Sequence, residues 1–332
     1  TPEAPTYRRV AAGPSVRKLL QMDPLLVQTL HAVLERHPVD VVHGHHVEGF
    51  GAGWLARRRG VPVVYDAHTL LESELPHFVP TGGGVVRSLG RRLDRAAATR
   101  AHHVVTVTPA LRTALVDGHA VPRERVTAVP NGVEWRRFDL PRAPSDPPVV
   151  VFAGGLTPYQ GVDILLRAMA EVRESRPGAR LLLAVRDPDA FAPWRGLLPE
   201  LGLEGAVEVR RAGLEELPGL LAAAAVAVNP RPRAGGHRIK LLNYTSAGAP
   251  IVSCRGSSHG LTHDETAWLV DDDDPTALAD GIRRMLDEPD RAARLGQAAR
   301  ETVVALPSWA DVALALERVY ALARAALPGG RS

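Results

Sequence analysis

Three runs in the first third of the chain, VDVVHGHH (39–46), VPVVYDAH (61–68) and HHVVTVTP (102–109), are short, rich in valine and almost unbroken by polar residues until they end in His, Asp, Thr or Pro. A strand with one wet face alternates apolar and polar side chains, so runs like these suit strands covered on both faces, as in a parallel sheet. Parallel strands need long crossovers. Helical patterns fill the gaps at 17–36, 48–59, 85–101 and 110–117. The alternation then restarts, with strands expected at 148–153, 180–185, 206–210, 223–229 and 250–254 and helices between them. From 275 onward the pattern is helical, ending in SWADVALALERVYALARAAL (308–327). Strand–helix alternation on both sides of the Pro-rich stretch 141–148 predicts two doubly wound α/β domains. The expected division is 1–140, 141–310, and a closing helical segment 311–332 that returns to the first domain. A chain of 332 residues accommodates this, at roughly 100–200 residues per domain.

The single cysteine, Cys254, excludes an internal disulfide and fits a reducing, cytoplasmic compartment. It lies in an apolar strand pattern, which suits a small buried residue rather than a nucleophile. No apolar run approaches the roughly 18–20 residues of a membrane span, and no secretory signal opens the chain. Residues 1–145 carry 19 Lys/Arg against 13 Asp/Glu, whereas residues 146–332 carry 21 against 24. A basic first half suits an anionic partner, and solvated arginine accounts for the same numbers. No nucleic-acid partner is expected.

Doubly wound sheets bind ligands beyond the carboxyl ends of their strands. In the second half, VVFAGGLTPYQGVDILLRAM (150–169) runs from a strand through Gly154, Gly155, Gln160 and Gly161 into a helix. Val162, Leu165, Leu166 and Met169 share one face of that helix, and the glycines let a ligand approach the backbone. After AAAVAVNP comes RPRAGGH, and then a helix expected from about Arg238 to Gly248. The free N–H groups and dipole of a helix start favour an anion. Lys240, in the first turn, is slightly unfavourable there by itself and makes sense beside a phosphate. A third loop, SCRGSSHGLTHDETAWLV (253–270), brings His259 and Glu265 to the same edge.

In the first half, His43, His45 and His46 close one strand, and Asp66 and His68 close the next. Hydrogen-bonded strand caps account for most of them, leaving one or two for a ligand. Imidazole and carboxylate also suit zinc, so HGHH followed by DAH supports a rival reading as a metal-dependent hydrolase. The interdomain linker and the second α/β pattern argue against the single barrel that reading needs.

Several stretches together resemble the retaining glycosyltransferases of family 4: DVVHGHH, VPNGVEWRRF, FAGGLTPYQGVDILLRAM, IKLLNYTSAGAPIVS and AWLVDDDDPTALADGIRRMLDEPDRAARLGQAAR. PYQG and K-x-x-N-Y resemble one bacterial subgroup. The resemblance covers most of the chain. It implies two Rossmann-like domains facing a cleft, a nucleoside diphosphate-sugar donor, transfer with retained configuration, and neither metal nor other cofactor. The acceptor would be a sugar, a lipid-linked molecule or another small molecule. By the same resemblance Lys240 and the helix amides hold the diphosphate, Asn243 meets the ribose and His45 touches the donor sugar. Gly154, Gly155, Gln160, Arg231, Gly236, His237, Arg238 and Ile239 complete the donor site, with His45 and Lys240 as its catalytic pair.

The chain departs from the family pattern in three ways. Gly155 and Gln160 stand where the family commonly has an arginine and a lysine as phosphate clamps. Gly235 and Asn243 stand where it commonly has two glutamates, which leaves a non-catalytic relative as a further alternative. Lys240, with Arg231 or Arg233, is expected to replace the missing clamp. The family's first strand and Gly-rich acceptor loop are not visible before DVVHGHH, so the first domain is expected to be truncated. Finally, VVRSLGRRLDRAAATR (85–100) combines an apolar stripe (Val85, Val86, Leu89, Leu93) with Arg87, Arg91 and Arg95, a pattern that suits peripheral contact with an anionic membrane.

Overall fold

The computed structural model describes residues 23–46, 48–78, 83–232, 239–258 and 260–327. The chain divides into two compact units, one of residues 1–131, 235–237 and 310–332, the other of 132–234 and 238–309.

The first unit is built on four parallel strands, β1 (Val42–His45), β2 (Val63–Ala67), β3 (His103–Thr106) and β4 (Val126–Ala128), in spatial order β1-β2-β3-β4. Successive side chains on a strand point to opposite faces, and both faces here are covered. Val63, Tyr65 and Val104 pack with Ala97, Ala98 and Leu115. Val64 and Val105 pack with Val312, Val319 and Ala323 of the helix Trp309–Ala325. This double cover is the reason Val63 and Val64 on β2, and Val104 and Val105 on β3, stand side by side with no polar residue between them. The pairing sets His45 beside Asp66 at the carboxyl edge.

The helix Gly83–Arg100 buries Gly90, Asp94, Ala97 and Ala98. The stripe read from the sequence is not its packing face: Val85 is 78% exposed and Leu89 53%. A Cβ on Gly90 would sit 2.6 Å from the backbone nitrogen of Glu72. That close approach lets Asp94 accept hydrogen bonds from Leu71 N and Glu72 N, both at 3.0 Å, and cap the helix Leu71–Phe78. A small, polar face therefore wins over an apolar one.

The second unit has six parallel strands: β5 (Val149–Ala153), β6 (Arg180–Val185), β7 (Val207–Arg211), β8 (Val226–Asn229), β9 (Ile251–Cys254) and β10 (Trp268–Val270). Their order is β10-β9-β8-β5-β6-β7. The chain moves outward from β5 to β7 and then returns to the other side of β5, so the order reverses between β5 and β8. Val162, Leu165, Leu166 and Met169 are fully buried on one face, and Leu221, Tyr244 and Ile251 on the other. β10 closes the stretch read from the sequence as the third loop.

The Pro-rich stretch 141–148 lies within this unit rather than at the division, which falls at 131/132. Ala143 N donates to Ala222 O at 3.1 Å and Ser145 N to Ala223 O at 3.0 Å. Arg142 donates to Leu221 O and Ala224 O, and burial lowers its pKa to about 10. Those carbonyls end the helix Leu217–Ala223, and the Pro-rich stretch satisfies them.

Candidate active site

The reversal of strand order leaves a crevice at the carboxyl ends of β5 and β8, where sheets of this kind accept ligands. The loop after β5 carries Gly154, Gly155, Gln160 and Gly161 into the helix Val162–Ser175. Gly161 is left-handed at φ 72°, and a Cβ there would lie 2.3 Å from Pro230 O. Glycine is thus required for two reasons, and it brings this loop against the Pro230–Arg231 turn after β8.

Lys240 rises from the first turn of the helix Ile239–Ser246. Its Nζ donates to Gln160 Oε1 at 2.6 Å and lies 4.2 Å from the Phe152 ring centroid. A Cβ on Gly154 would meet the lysine Cε at 3.4 Å, so the stem passes where Gly154 has no side chain. Four residues on, Tyr244 lies on the same side of the helix and is fully buried. Its hydroxyl accepts from Ala153 N at 2.7 Å and reaches Ala153 O and Val228 O at 3.4 Å. Burial pushes this hydroxyl's pKa up. K-x-x-N-Y therefore ties the helix to both strand ends with its tyrosine and presents its lysine.

Gly154, Gln160, Gly161 and Lys240 come together here, with the Arg231 backbone beside Gly161. The Arg231 guanidinium lies 4.6 Å from the Tyr159 ring centroid. Gly155 is exposed with open space around it, Ile239 is 55% exposed and Asn243 is half-buried. Gly236, His237 and Arg238, with Arg233, Gly235 and His259, lie outside the described residues. Sequence reasoning missed a buried network behind the Arg231 turn. Asn229 Nδ2 donates to Ser253 Oγ at 2.9 Å and to Ser257 Oγ at 2.7 Å, and Ser257 Oγ donates to Arg231 O at 2.5 Å. Each of these residues is common at strand ends, so only the pairing of β8 with β9 makes the network visible.

In the first unit, three imidazoles gather on one carboxylate. Asp66 Oδ2 lies 3.4 Å from His43 Nε2, 3.1 Å from His45 Nδ1 and 3.3 Å from His68 Nε2. Burial would raise the Asp66 pKa, but the His43 and His68 rings hold the carboxyl well below the usual range. Burial lowers the pKa of His45, against the pull of Asp66 and with the push of His43 and His68. Its side chain is 65% exposed, open to a ligand. His46 is a strand cap, its Nε2 2.9 Å from Thr69 Oγ1. His43 Nδ1 meets Tyr320 OH at 2.8 Å, a partner from the helix Trp309–Ala325 that no local sequence signal announces.

Two family models match the chain in tandem, Glycosyltransferase Family 4 over residues 1–137 and Glycosyl transferases group 1 over 147–288. The chain is 32% identical to the D-inositol 3-phosphate glycosyltransferase of Acidothermus cellulolyticus, over 86% of this chain and 70% of that protein. It is 29% identical to the MMP alpha-(1->4)-mannosyltransferase of Mycolicibacterium hassiacum, over 88% and 73%. Among solved structures, sucrose-phosphate synthase from Thermosynechococcus elongatus has the same fold, with a TM-score of 0.77 at 24% identity, covering 96% of this chain and 83% of that one. The two Rossmann-like units are those of the GT-B glycosyltransferases. The chain belongs to glycosyltransferase family 4 and is a nucleotide-sugar glycosyltransferase.

Proposed function

We propose that this glycosyltransferase retains the anomeric configuration of the sugar it transfers and holds the donor's diphosphate at Lys240. The observation that carries this reading is the Lys240–Gln160 bond of 2.6 Å at the reversal point of the second sheet. In the sequence pattern of the family a loop cation stands where this chain has Gln160. Here the lysine of the facing helix brings its ammonium to that same residue. Charge develops on the leaving diphosphate as the glycosidic bond breaks, and fixed donors aimed at it lower the barrier. Lys240 and the first amides of its helix supply those donors, while Asn243 meets the ribose.

In this reading His45 acts on the donor sugar as a neutral imidazole, in keeping with its lowered pKa. A donor phosphate oxygen accepts the acceptor's proton, and no step uses a metal. The acceptor is a small hydroxylated molecule or a lipid-linked sugar. The enzyme works in the cytoplasm with peripheral contact to an anionic membrane. Among the described residues no helix is long and apolar enough to cross one. The exposed Val85 and Leu89, with Arg87, Arg91 and Arg95 on the same helix, suit surface contact instead.

The test is a thermal-shift screen against nucleoside diphosphates and their sugars, since a ligand that binds only the folded state raises its apparent stability. Turnover with the best donor and NMR of the product follow. An inverted anomeric linkage, or a shift caused equally by nucleosides lacking phosphate, would overturn the assignment.

A further inference from the structure

Two cations reach neighbouring residues of the loop after β5. Lys240 Nζ meets Gln160, and the Arg231 guanidinium stacks on the ring of the preceding residue, Tyr159, at 4.6 Å. A guanidinium stacked on a ring uses its flat face, and its N–H groups lie in the plane as a fork that matches phosphate. The backbone beneath that guanidinium is held from several sides. Pro230 has its φ fixed by its ring. Gly161 leaves room for Pro230 O, and Arg231 N lies 3.5 Å from where a Cβ on that glycine would stand. Behind the turn, Ser257 Oγ donates to Arg231 O at 2.5 Å. The directions of the bonds behind it are fixed, because each serine hydroxyl has a single hydrogen. Ser257 gives its hydrogen to Arg231 O, and Ser253 gives its own to Cys254 O at 3.1 Å. Both serine oxygens therefore accept, and the two N–H groups of the Asn229 amide supply them at 2.7 and 2.9 Å. Asn229, Ser253 and Ser257 are all fully buried. Asn229 Oδ1 has no hydrogen-bond partner among the described residues, so the network donates towards the turn and is not closed on itself. Burying three polar side chains costs desolvation that apolar ones avoid, and the group they serve is the carbonyl of Arg231.

We infer that Arg231 is the second arm of the diphosphate clamp, and that Asn229 and Ser257 are positioning residues that set it through the Pro230–Arg231 turn. The amide of Asn229 orients Ser257, Ser257 fixes Arg231 O, and the fixed backbone delivers the guanidinium to Tyr159, next to the residue that receives Lys240. The two cations are not equivalent. Lysine offers a point charge, whereas arginine offers two parallel N–H groups to two oxygens of one phosphate. The inference rests on the donor reading and adds to it the group that holds the second phosphate and the buried device that aims it.

The test is calorimetry of the full chain with UDP, GDP, ADP and dTDP, each beside its parent nucleoside. Arg231→Ala, at a half-buried position, should weaken the best-bound diphosphate by roughly tenfold or more, as the loss of a charge-assisted hydrogen bond does, and leave the nucleoside nearly unchanged. Ser257→Ala should weaken the diphosphate by roughly two- to tenfold, and Ser257→Thr, which keeps the hydroxyl, should recover most of that loss. In the Arg231→Ala background Ser257→Ala should cost no further affinity, because a residue that acts through another has no effect once the other is gone. A purely structural serine would instead lower the melting temperature in both backgrounds and leave diphosphate affinity alone. Ser258→Ala, whose hydroxyl donates to Arg255 O at 2.9 Å, should change nothing. An unchanged diphosphate affinity in Arg231→Ala or in Ser257→Ala, or a Ser257→Ala loss that persists in full without Arg231, would overturn the inference. Lys240→Met measured alongside separates the two readings. A loss there without a loss in Arg231→Ala sinks this inference and leaves the donor reading standing, whereas no loss in either variant, or no binding of any of the four diphosphates by the parent at millimolar concentration, sinks both.

Discussion

Replacing Lys240 by Met removes a charge and keeps the methylene stem over the Phe152 ring. The ammonium donates to Gln160 Oε1 at 2.6 Å and stands in the first turn of the helix Ile239–Ser246. If a diphosphate oxygen takes the ammonium's hydrogen bond, the bond lost is charge-assisted and is worth about 1.5–3 kcal/mol. At about 1.4 kcal/mol per tenfold in Kd, the nucleoside diphosphate should bind roughly ten- to 150-fold more weakly. The parent nucleoside makes no such contact and should bind both proteins equally. Lys240→Ala also strips the stem from the Phe152 ring, so its loss should be the larger. Calorimetry at fixed ionic strength measures all of this, and the deficit should shrink as salt screens the charge. An equal loss for nucleoside and diphosphate would mean that Lys240 shapes the site without touching phosphate, and the donor assignment would fail.

The other predictions concern separate parts of the molecule. His45→Ala should cut turnover while leaving free nucleotide affinity nearly intact; a nucleotide loss as large as that of Lys240→Met would refute its role at the sugar. Tyr244→Phe leaves Ala153 N without its acceptor in a fully buried place, at a cost of about 1–3 kcal/mol. For a unit of this size that lowers the melting temperature by roughly 2–12 °C, and an unchanged midpoint would show the bond to be dispensable. The Cys254 thiol is pushed up to about 12 by burial, with Asp272 and Asp273 adding to the shift. At pH 8 it should therefore resist iodoacetamide in the native protein and react once denatured, as mass spectrometry would reveal. Flotation with liposomes should depend on anionic lipid and be lost in Val85→Asp/Leu89→Asp; lipid-independent behaviour would identify a plain solvated helix.

Much of the fold is legible in the sequence because double cover leaves a direct trace. A strand buried on both faces is apolar through most of its length, so β2, β3 and β5 stand out by their paired or tripled valines. Short strands leave little trace: β4 and β10 have three residues each, too few for any periodicity. The stripe of Val85 and Leu89 is a different case, an apolar face that the fold leaves exposed. Helical spacing reports which residues share a face, and whether that face is covered depends on the neighbour. Here the neighbour approaches so closely that only Gly90, Ala97 and Ala98 fit, with Asp94 paid back by two backbone donors.

The same contrast runs through the site. Glycines at 154 and 161, a lysine behind a glycine-rich turn, and histidines at strand ends are local features, and each follows from what a backbone needs in order to approach a ligand. That Lys240 ends on Gln160, 80 residues away in the chain, is decided by the crossing of β8 beside β5. That His43, His45 and His68 close around one oxygen of Asp66 is decided by the register of β1 on β2. Tyr320 reaches His43 across 277 residues because the last helix covers the sheet's second face. Local sequence determines which chemistry the strand ends carry. Which of those groups meet is set by strand order and register, properties of pairing over distances that no local pattern encodes.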